Sequence, residues 1–243
     1  MTTQSIKISI FICAIDEYEI EQVIDVILST CDHALLEEIN IIYSKKSPAN
    51  YVLFLQSLIK KTDDIPIRPI LQPIDGLGEA VFYGYSISKG THIIGTVADM
   101  QLSPFDISEM IARAQKKPDV IITTSRRLRK NGFGKRYSKM KLLLNTLFNF
   151  SAHVLMHSSQ TDITYPYQCM PAHCFRQYHF FRNHSGIMLE ISFLPEMTGI
   201  AFEEIPSVLS SRQSGKSHSG FRYYFNLFIC YIKLLIKRKL AKT

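Results

Sequence analysis

Asp99 and Gln101 follow a short apolar run at residues 92–97 (HIIGTV), and both side chains carry oxygen atoms. A mostly apolar run of this length indicates a buried strand. In an open α/β sheet, ligands bind outside the carboxyl ends of the strands. Hard divalent cations prefer oxygen ligands. The spacing therefore predicts a cation site in which Asp99 is the main ligand and Gln101 assists. The alternative is that Asp99 caps a helix beginning near Ser103 and Pro104.

A glycine-rich turn comes shortly before this run. Asp75-Gly76 and Gly78 interrupt the chain, and a helix is predicted over residues 79–88 with Gly90 as its C-terminal stop. Turn, helix, turn and buried strand thus succeed one another directly upstream of Asp99.

The elements that would position these residues alternate along the first half of the chain. The predicted strands are residues 6–14, 39–43, 67–72, 92–97 and 119–124. The predicted helices are residues 16–28, 51–60, 79–88, 107–115, 139–155 and 221–240. Strands alternating with helices indicate βαβ units and a mainly parallel sheet.

The composition is that of an ordinary globular protein. The 243 residues suit one sizeable domain, or one domain with an appendage. The formal net charge of +7 favours anionic partners such as nucleic acid, acidic lipid headgroups or phosphate-bearing small molecules. Nucleic acid is disfavoured because no aromatic-interleaved basic platform or recognised module is present.

The cysteines and the apolar segments bear on the compartment. Five cysteines, an odd number without metal-site spacing, indicate free thiols and a reducing cytosol. No signal-peptide pattern and no apolar stretch of 18 residues is evident. We therefore predict a cytoplasmic protein.

Three motifs carry a resemblance to a known family. Gly76-Leu77-Gly78, Ala98-Asp99-Met100-Gln101 and residues 212–217 (RQSGKS) resemble the family-2 glycosyltransferases with the GT-A fold. The likeness is strongest to the polyprenyl-phosphate (dolichol-phosphate) sugar transferases, and it covers about residues 6–220.

The resemblance implies an α/β, Rossmann-like sheet, mainly parallel and flanked by helices, with a C-terminal amphipathic helix. It implies a GT-A domain over residues 1–220 and a basic helix over residues 221–243. One departure from the family pattern is Val97, which replaces the first aspartate of the usual Asp-Ala-Asp motif.

The resemblance also implies a nucleotide-sugar donor and assigns residues to it. The implied nucleotide-binding residues are Ala14, Asp16, Glu17, Tyr43, Ser44, Gly76, Gly78 and Ala98. At Tyr43-Ser44 the usual carboxylates are missing. For Asp16 and Glu17 the alternative is capping of the first helix, where acidic side chains favour the helix dipole.

The implied catalytic residues are Asp99, Arg126, Arg212 and Lys216. Asp99 and Gln101 would bind Mg²⁺ or Mn²⁺ against the donor diphosphate, and Arg126 would reach a phosphate with its bidentate fork. Arg212 and Lys216 would close over the diphosphate from a glycine loop. Asp162 would bond to the acceptor-side loop or cap a turn.

The implied acceptor is a lipid phosphate or a lipid-linked glycan, as in cell-envelope glycan biosynthesis. Residues 221–240 form an apolar block with a basic end, which suits a helix lying on an anionic membrane at its inner face. The alternative is packing on the domain or on a second subunit.

Two other functions remain open. One is a catalytically impaired GT-A protein that binds nucleotide or a protein partner, which Val97 motivates. The other is a nucleotidyltransferase, although residues 12–17 lack the usual glycine-rich phosphate loop.

Overall fold

The structure is a computed structural model that describes residues 6–134, 137–181, 186–210 and 221–240. These residues form a seven-stranded sheet in the order β3-β2-β1-β4-β6-β5-β7. Its strands are β1 (Ile8–Ala14), β2 (Leu36–Tyr43), β3 (Ile67–Leu71), β4 (His92–Val97), β5 (Ile121–Ser125), β6 (Gln168–Pro171) and β7 (Phe202–Pro206). The helices are α1 (Ile20–Thr30), α2 (Ala49–Ser57), α3 (Leu77–Ile87), α4 (Asp106–Lys116), α5 (Lys139–Met156), α6 (Ala172–Arg176), α7 (Ile187–Met197) and α8 (Phe221–Leu240).

All described strand pairs are parallel except those of β6, which runs antiparallel to both β4 and β5. The chain proceeds from β1 outward to β2 and β3, then returns to place β4 on the other side of β1. Such a reversal leaves a crevice at the carboxyl ends of β1 and β4, where ligands of open α/β sheets bind. The predicted sheet is confirmed.

The sheet is covered on both faces, which explains why β1 is apolar along nearly its whole length. Ile8, Ile10 and Ile12 point into a core shared with α1, α2 and α4. Phe11 and Cys13 point into a second core with α3, α6 and α7. Strands buried on both sides are expected to read as continuous hydrophobic runs.

The first helix begins later than the sequence indicates. It starts at Ile20, its N-terminal flanking residue is Glu19, and no side chain caps it. Glu17 instead accepts hydrogen bonds at Oε2 from the backbone N–H groups of Ile15 (2.7 Å) and Asp16 (3.2 Å). The capping alternative for Asp16 and Glu17 is therefore wrong, because Glu17 closes the turn after β1.

A third apolar cluster joins α5, α7 and α8. Among the residues described, no helix combines the length and the apolar character that crossing a membrane requires. All five cysteines are free thiols, as the sequence predicts.

Candidate active site

The strand register brings the predicted site residues to one edge of the sheet. Cys13 of β1 pairs with Val97 of β4, and Ala14 pairs with Tyr43 of β2. Beyond the strands, the N–H of Ala98 still donates to the carbonyl of Cys13 at 3.1 Å. The loops after β1, β2 and β4 therefore lie side by side at the crevice.

Asp99 sits in a tight turn directly after β4. Its Oδ1 accepts a hydrogen bond from the N–H of Gln101 at 3.0 Å, and the side chain is only 3% exposed. Met100 between them has φ 59°, a left-handed backbone that costs a non-glycine residue about 1–3 kcal/mol. The next helix starts at Asp106, so the alternative that Asp99 caps it is wrong.

The segment that leads to Arg212 and Lys216 passes over this turn. The N–H of Ser210 donates to the carbonyl of Gln101 at 3.1 Å. Arg212 and Lys216 themselves lie outside the described residues. Ser207, three residues earlier, donates to Oδ2 of Asp106 at 2.5 Å and fixes the approach of this segment to α4.

Asp75 belongs to this edge, although its role in the sequence is that of a turn residue. Ser44 donates to Oδ1 of Asp75 at 2.8 Å, which joins the loops after β2 and β3. This hydrogen bond lowers the pKa of Asp75. A carboxylate thus returns beside Tyr43 and Ser44, where the family's own carboxylates are missing. In the sequence, this role of Asp75 is signalled only by the glycine that follows it. In the structure, Gly76 has a φ of 130°, a backbone conformation that requires glycine.

Arg126 does not have the role expected of it. Its Nε and Nη2 donate to Asp162 at 2.6 and 2.8 Å, and the side chain is 5% exposed. Its guanidinium also lies 4.5 and 4.6 Å from the ring centres of Phe133 and Tyr165. The expectation of a phosphate-binding Arg126 is corrected, because this geometry commits the bidentate fork to Asp162. Asp162, in turn, is an ion-pair partner and not simply a turn cap.

The donor set for a metal is small. In the described part of the chain, no three His, Cys, Asp or Glu side chains gather as a metal site. The Asp99 turn offers one carboxylate and one amide oxygen. Mg²⁺ commonly uses one or two carboxylates and completes its shell with substrate phosphates and water. The ligand types therefore suit an ion that arrives with a diphosphate, whereas the 3% exposure of Asp99 limits access to its carboxylate.

A mainly parallel sheet with a reversal between β1 and β4 and polar loops at that point defines a doubly wound α/β protein, a class that binds its ligands at such a reversal. A family profile described as "Glycosyl transferase family 2" matches residues 9–180. The chain belongs to glycosyl transferase family 2. This confirms the resemblance at the level of family 2 and the enzyme class that the motifs indicate.

Solved structures show the same fold. Glucosyl-3-phosphoglycerate synthase from Mycobacterium tuberculosis, in complex with Mn²⁺, UDP and phosphoglyceric acid, superposes with a TM-score of 0.71 at 11% identity; the match covers 95% of this chain and 78% of that one. Its complex with Mn²⁺, UDP-glucose and phosphoglyceric acid gives a TM-score of 0.69 at 13% identity, and the match covers 95% of this chain and 80% of that one. Its complex with Mg²⁺ and UDP gives a TM-score of 0.68 at 12% identity, and the match covers 95% of this chain and 79% of that one. A sequence search among curated proteins finds no match. The GT-A-like fold is confirmed.

Proposed function

We propose that the protein transfers a sugar from a nucleotide-sugar donor to a phosphate-bearing acceptor, a lipid phosphate or a lipid-linked glycan. The observation that carries this proposal is the junction of three strand-end loops at the sheet reversal, with Asp99 in a strained turn between them. Strained non-glycine residues cluster at functional sites. Family membership supports the reaction class.

The nucleoside is proposed to lie across the loops after β1 and β2. Ala14, Asp16 and Glu17 would line it on one side, and Tyr43 and Ser44 on the other. Asp75, held by Ser44, supplies a carboxylate that can accept hydrogen bonds from a base or ribose. Gly76, Gly78 and Ala98 would let the backbone approach the donor closely.

Asp99 and Gln101 would hold Mg²⁺ or Mn²⁺, which neutralises the charge that develops on a leaving nucleoside diphosphate. The synthase of similar fold was solved with Mn²⁺ or Mg²⁺ together with UDP, which supports this assignment. Arg212 and Lys216 are proposed to bind the diphosphate, because their segment starts from the Ser210–Gln101 contact.

The acceptor is proposed from its chemistry. A phosphate oxygen is already nucleophilic, so positioning and electrostatics can supply most of the rate without a strong general base. The synthase of similar fold was crystallised with phosphoglyceric acid, a phosphorylated compound. The basic end of α8 favours an acceptor at an anionic membrane surface, on the cytoplasmic side. Transfer to a polyprenyl phosphate in cell-envelope glycan synthesis is the particular reaction we propose.

A second candidate is a pseudoenzyme that binds nucleotide or a protein partner. Val97 in place of a family aspartate and the 3% exposure of Asp99 favour it. The experiment that separates the two functions adds UDP- or GDP-sugars to the protein, each with and without Mn²⁺. It measures the thermal stabilisation of the protein and the hydrolysis of the donor. The transferase predicts Mn²⁺-dependent hydrolysis that Asp99→Asn abolishes. Binding without any turnover, unaffected by Mn²⁺, would identify the pseudoenzyme.

A further inference from the structure

Helix α5 buries two asparagines and leaves most of its large apolar side chains exposed. The side chains that it buries are Asn145, Asn149, Ala152 and Met156. The large apolar side chains that it leaves exposed are Met140, Leu142, Leu143, Leu144, Leu147, Phe150, Val154 and Leu155. Most of them recur every three or four residues and so share one face. A soluble helix normally has the reverse arrangement.

Hydrogen bonds fix α5 in this orientation. Asn145 accepts from Nη2 of Arg127 at 2.7 Å, and its own amide donates to Thr164. Asn149 accepts from the N–H of Ile163 at 2.8 Å. Rolling the helix inward would break these bonds and leave buried amides unpaired, which costs about 1–3 kcal/mol for each group. The outward apolar side is therefore built into the fold.

Helix α8 carries a second exposed apolar stripe. It buries Cys230, Tyr231 and Leu234, while Phe225, Phe228, Ile232, Ile236 and Leu240 are exposed on the opposite side. The two helices touch where the rings of Phe148 and Tyr231 lie 4.8 Å apart. Both helices pack their buried sides into one cluster with α7, so each exposed stripe faces away from that cluster. We name the exposed apolar side chains of both helices the α5–α8 face.

The two sequence tracts that contain α5 and α8 carry charge of one sign. Residues 120–161 and 205–243 contain 16 of the 28 Lys and Arg residues and none of the 21 Asp and Glu residues. The remainder of the chain carries 12 basic and 21 acidic residues, so it is net negative although the whole chain is positive. The two tracts that build the α5–α8 face are thus also the basic part of the protein.

We propose that the α5–α8 face docks on an anionic lipid bilayer, with its apolar side chains in the interfacial layer and its lysines and arginines against the headgroups. Apolar area and basic residues both strengthen interfacial binding of helices to anionic lipid. A second copy of the chain fits less well, because it would bring the same basic tracts to the interface and like charges repel.

Docking through α5 would also set the direction in which the site faces. Asn145 and Asn149 contact the loop of Ile163 and Thr164, and Asp162 in that loop pairs with Arg126 at the end of β5. The docked helix is therefore bonded directly to the carboxyl edge of the sheet. Docking itself does not depend on the proposed function. The further idea that the docked orientation admits a lipid phosphate to the site rests on it.

The absence of tryptophan from the chain gives a clean test. Phe150→Trp on α5 and Phe228→Trp on α8 each place one fluorophore on the face, and Leu53→Trp places one on an exposed position of α2 as the control. With vesicles of phosphatidylcholine and phosphatidylglycerol, both face reporters should shift to the blue and the control should not. Phosphatidylcholine alone or high salt should weaken the shift.

A blue shift of fluorescence at Phe228→Trp without one at Phe150→Trp would show that the two helices do not dock together. Equal blue shifts on neutral and anionic vesicles would show that docking has no electrostatic basis. Self-association that buries the reporters without lipid would show that the occupant is a second copy. Leu147→Glu should weaken vesicle binding by about tenfold or more while the melting temperature is retained. Hydrolysis of a soluble donor should be unchanged in this variant, so failure of docking and failure of the transferase proposal remain distinguishable.

Discussion

Arg126 and Asp162 form a buried, two-point ion pair that ties the end of β5 to the loop before β6, with nitrogen–oxygen distances of 2.6 and 2.8 Å. Thr164 extends the network, because it accepts from Nη2 of Arg126 at 2.9 Å and from the amide of Asn145 on α5. Three separate segments are thereby held together at the carboxyl edge of the sheet. This pair supports the site instead of contacting a phosphate.

Replacing both partners of this pair should cost less than the two single replacements added together. Arg126→Ala leaves Asp162 buried without its counter-ion, and losses of about 3–5 kcal/mol are typical of such changes. The double variant with Asp162→Ala should therefore lose less than the sum of the two single variants. Urea unfolding of the four proteins measures this coupling. Arg126→Lys with unchanged stability and weakened donor binding would instead restore Arg126 as a phosphate ligand.

Phe11 requires glycine on two neighbouring elements. A Cβ atom added at Gly95 of β4 would lie 2.3 Å from the ring of Phe11, and one at Gly84 of α3 would lie 2.5 Å from it. We expect Gly95→Ala to lower the free energy of unfolding by about 1–3 kcal/mol, as overpacking does. Phe11→Leu should offset part of this loss when the two changes are combined. A strictly additive double variant, measured by urea unfolding, would contradict the contact.

Asp75 is predicted to contribute to donor binding. Asp75→Asn keeps the size of the side chain and its contact with Ser44 but removes the negative charge. Loss of this charge should weaken the hydrogen bonds that the side chain accepts from N–H and O–H groups of the donor. We expect the donor KM to rise about tenfold or more with little change in kcat or in melting temperature. Ser44→Ala, which frees the carboxylate without removing it, should have a smaller effect. An unchanged KM in Asp75→Asn would remove this residue from the donor site.

The sequence predicts the first five strands and the helices between them because their signals are local. A buried strand is a short apolar run, and α1 shows Ile20, Val23, Ile24 and Ile27 at helical spacing, all of them buried in the structure. The edge at which the strand-end loops meet follows from parallel pairing alone. These parts need no knowledge of distant contacts.

The rest depends on contacts between distant segments. Strand β6 has four residues, and its place between β4 and β5 is set by antiparallel pairing that no local pattern encodes. Arg126 and Asp162 are 36 positions apart. The outward apolar side of α5 contradicts the usual rule that apolar residues face the core, since Asn145 and Asn149 have buried partners instead. Periodicity predicts that α5 is a helix, but not which side it buries.

Glu190 on α7 makes stability depend on pH. Its side chain is fully buried, Oε1 accepts from the N–H of Phe181 at 2.6 Å, and Oε2 has no hydrogen-bond partner within the described ranges. Burial raises the pKa of Glu190, against opposing effects of that hydrogen bond and of Lys237 and Lys233. The folded protein therefore retains the proton to higher pH than the unfolded chain does.

The sign of the effect follows from this difference in proton binding. A carboxyl with a raised pKa contributes stability that is fully present below its ordinary pKa, near 4.5, and is lost as the pH rises through the folded-state value. Glu190→Gln removes the titration, so its stability relative to the parent protein should be greater at pH 8 than at pH 5. Between pH 5 and pH 8, the stability of Glu190→Gln relative to the parent should rise by about 1.4 kcal/mol for each unit of the Glu190 pKa shift that falls within this pH range. Urea unfolding at the two pH values measures it, with the exposed Asp63→Asn as a matched control. The same difference between Glu190→Gln and the parent at both pH values would show that Glu190 titrates normally despite its burial.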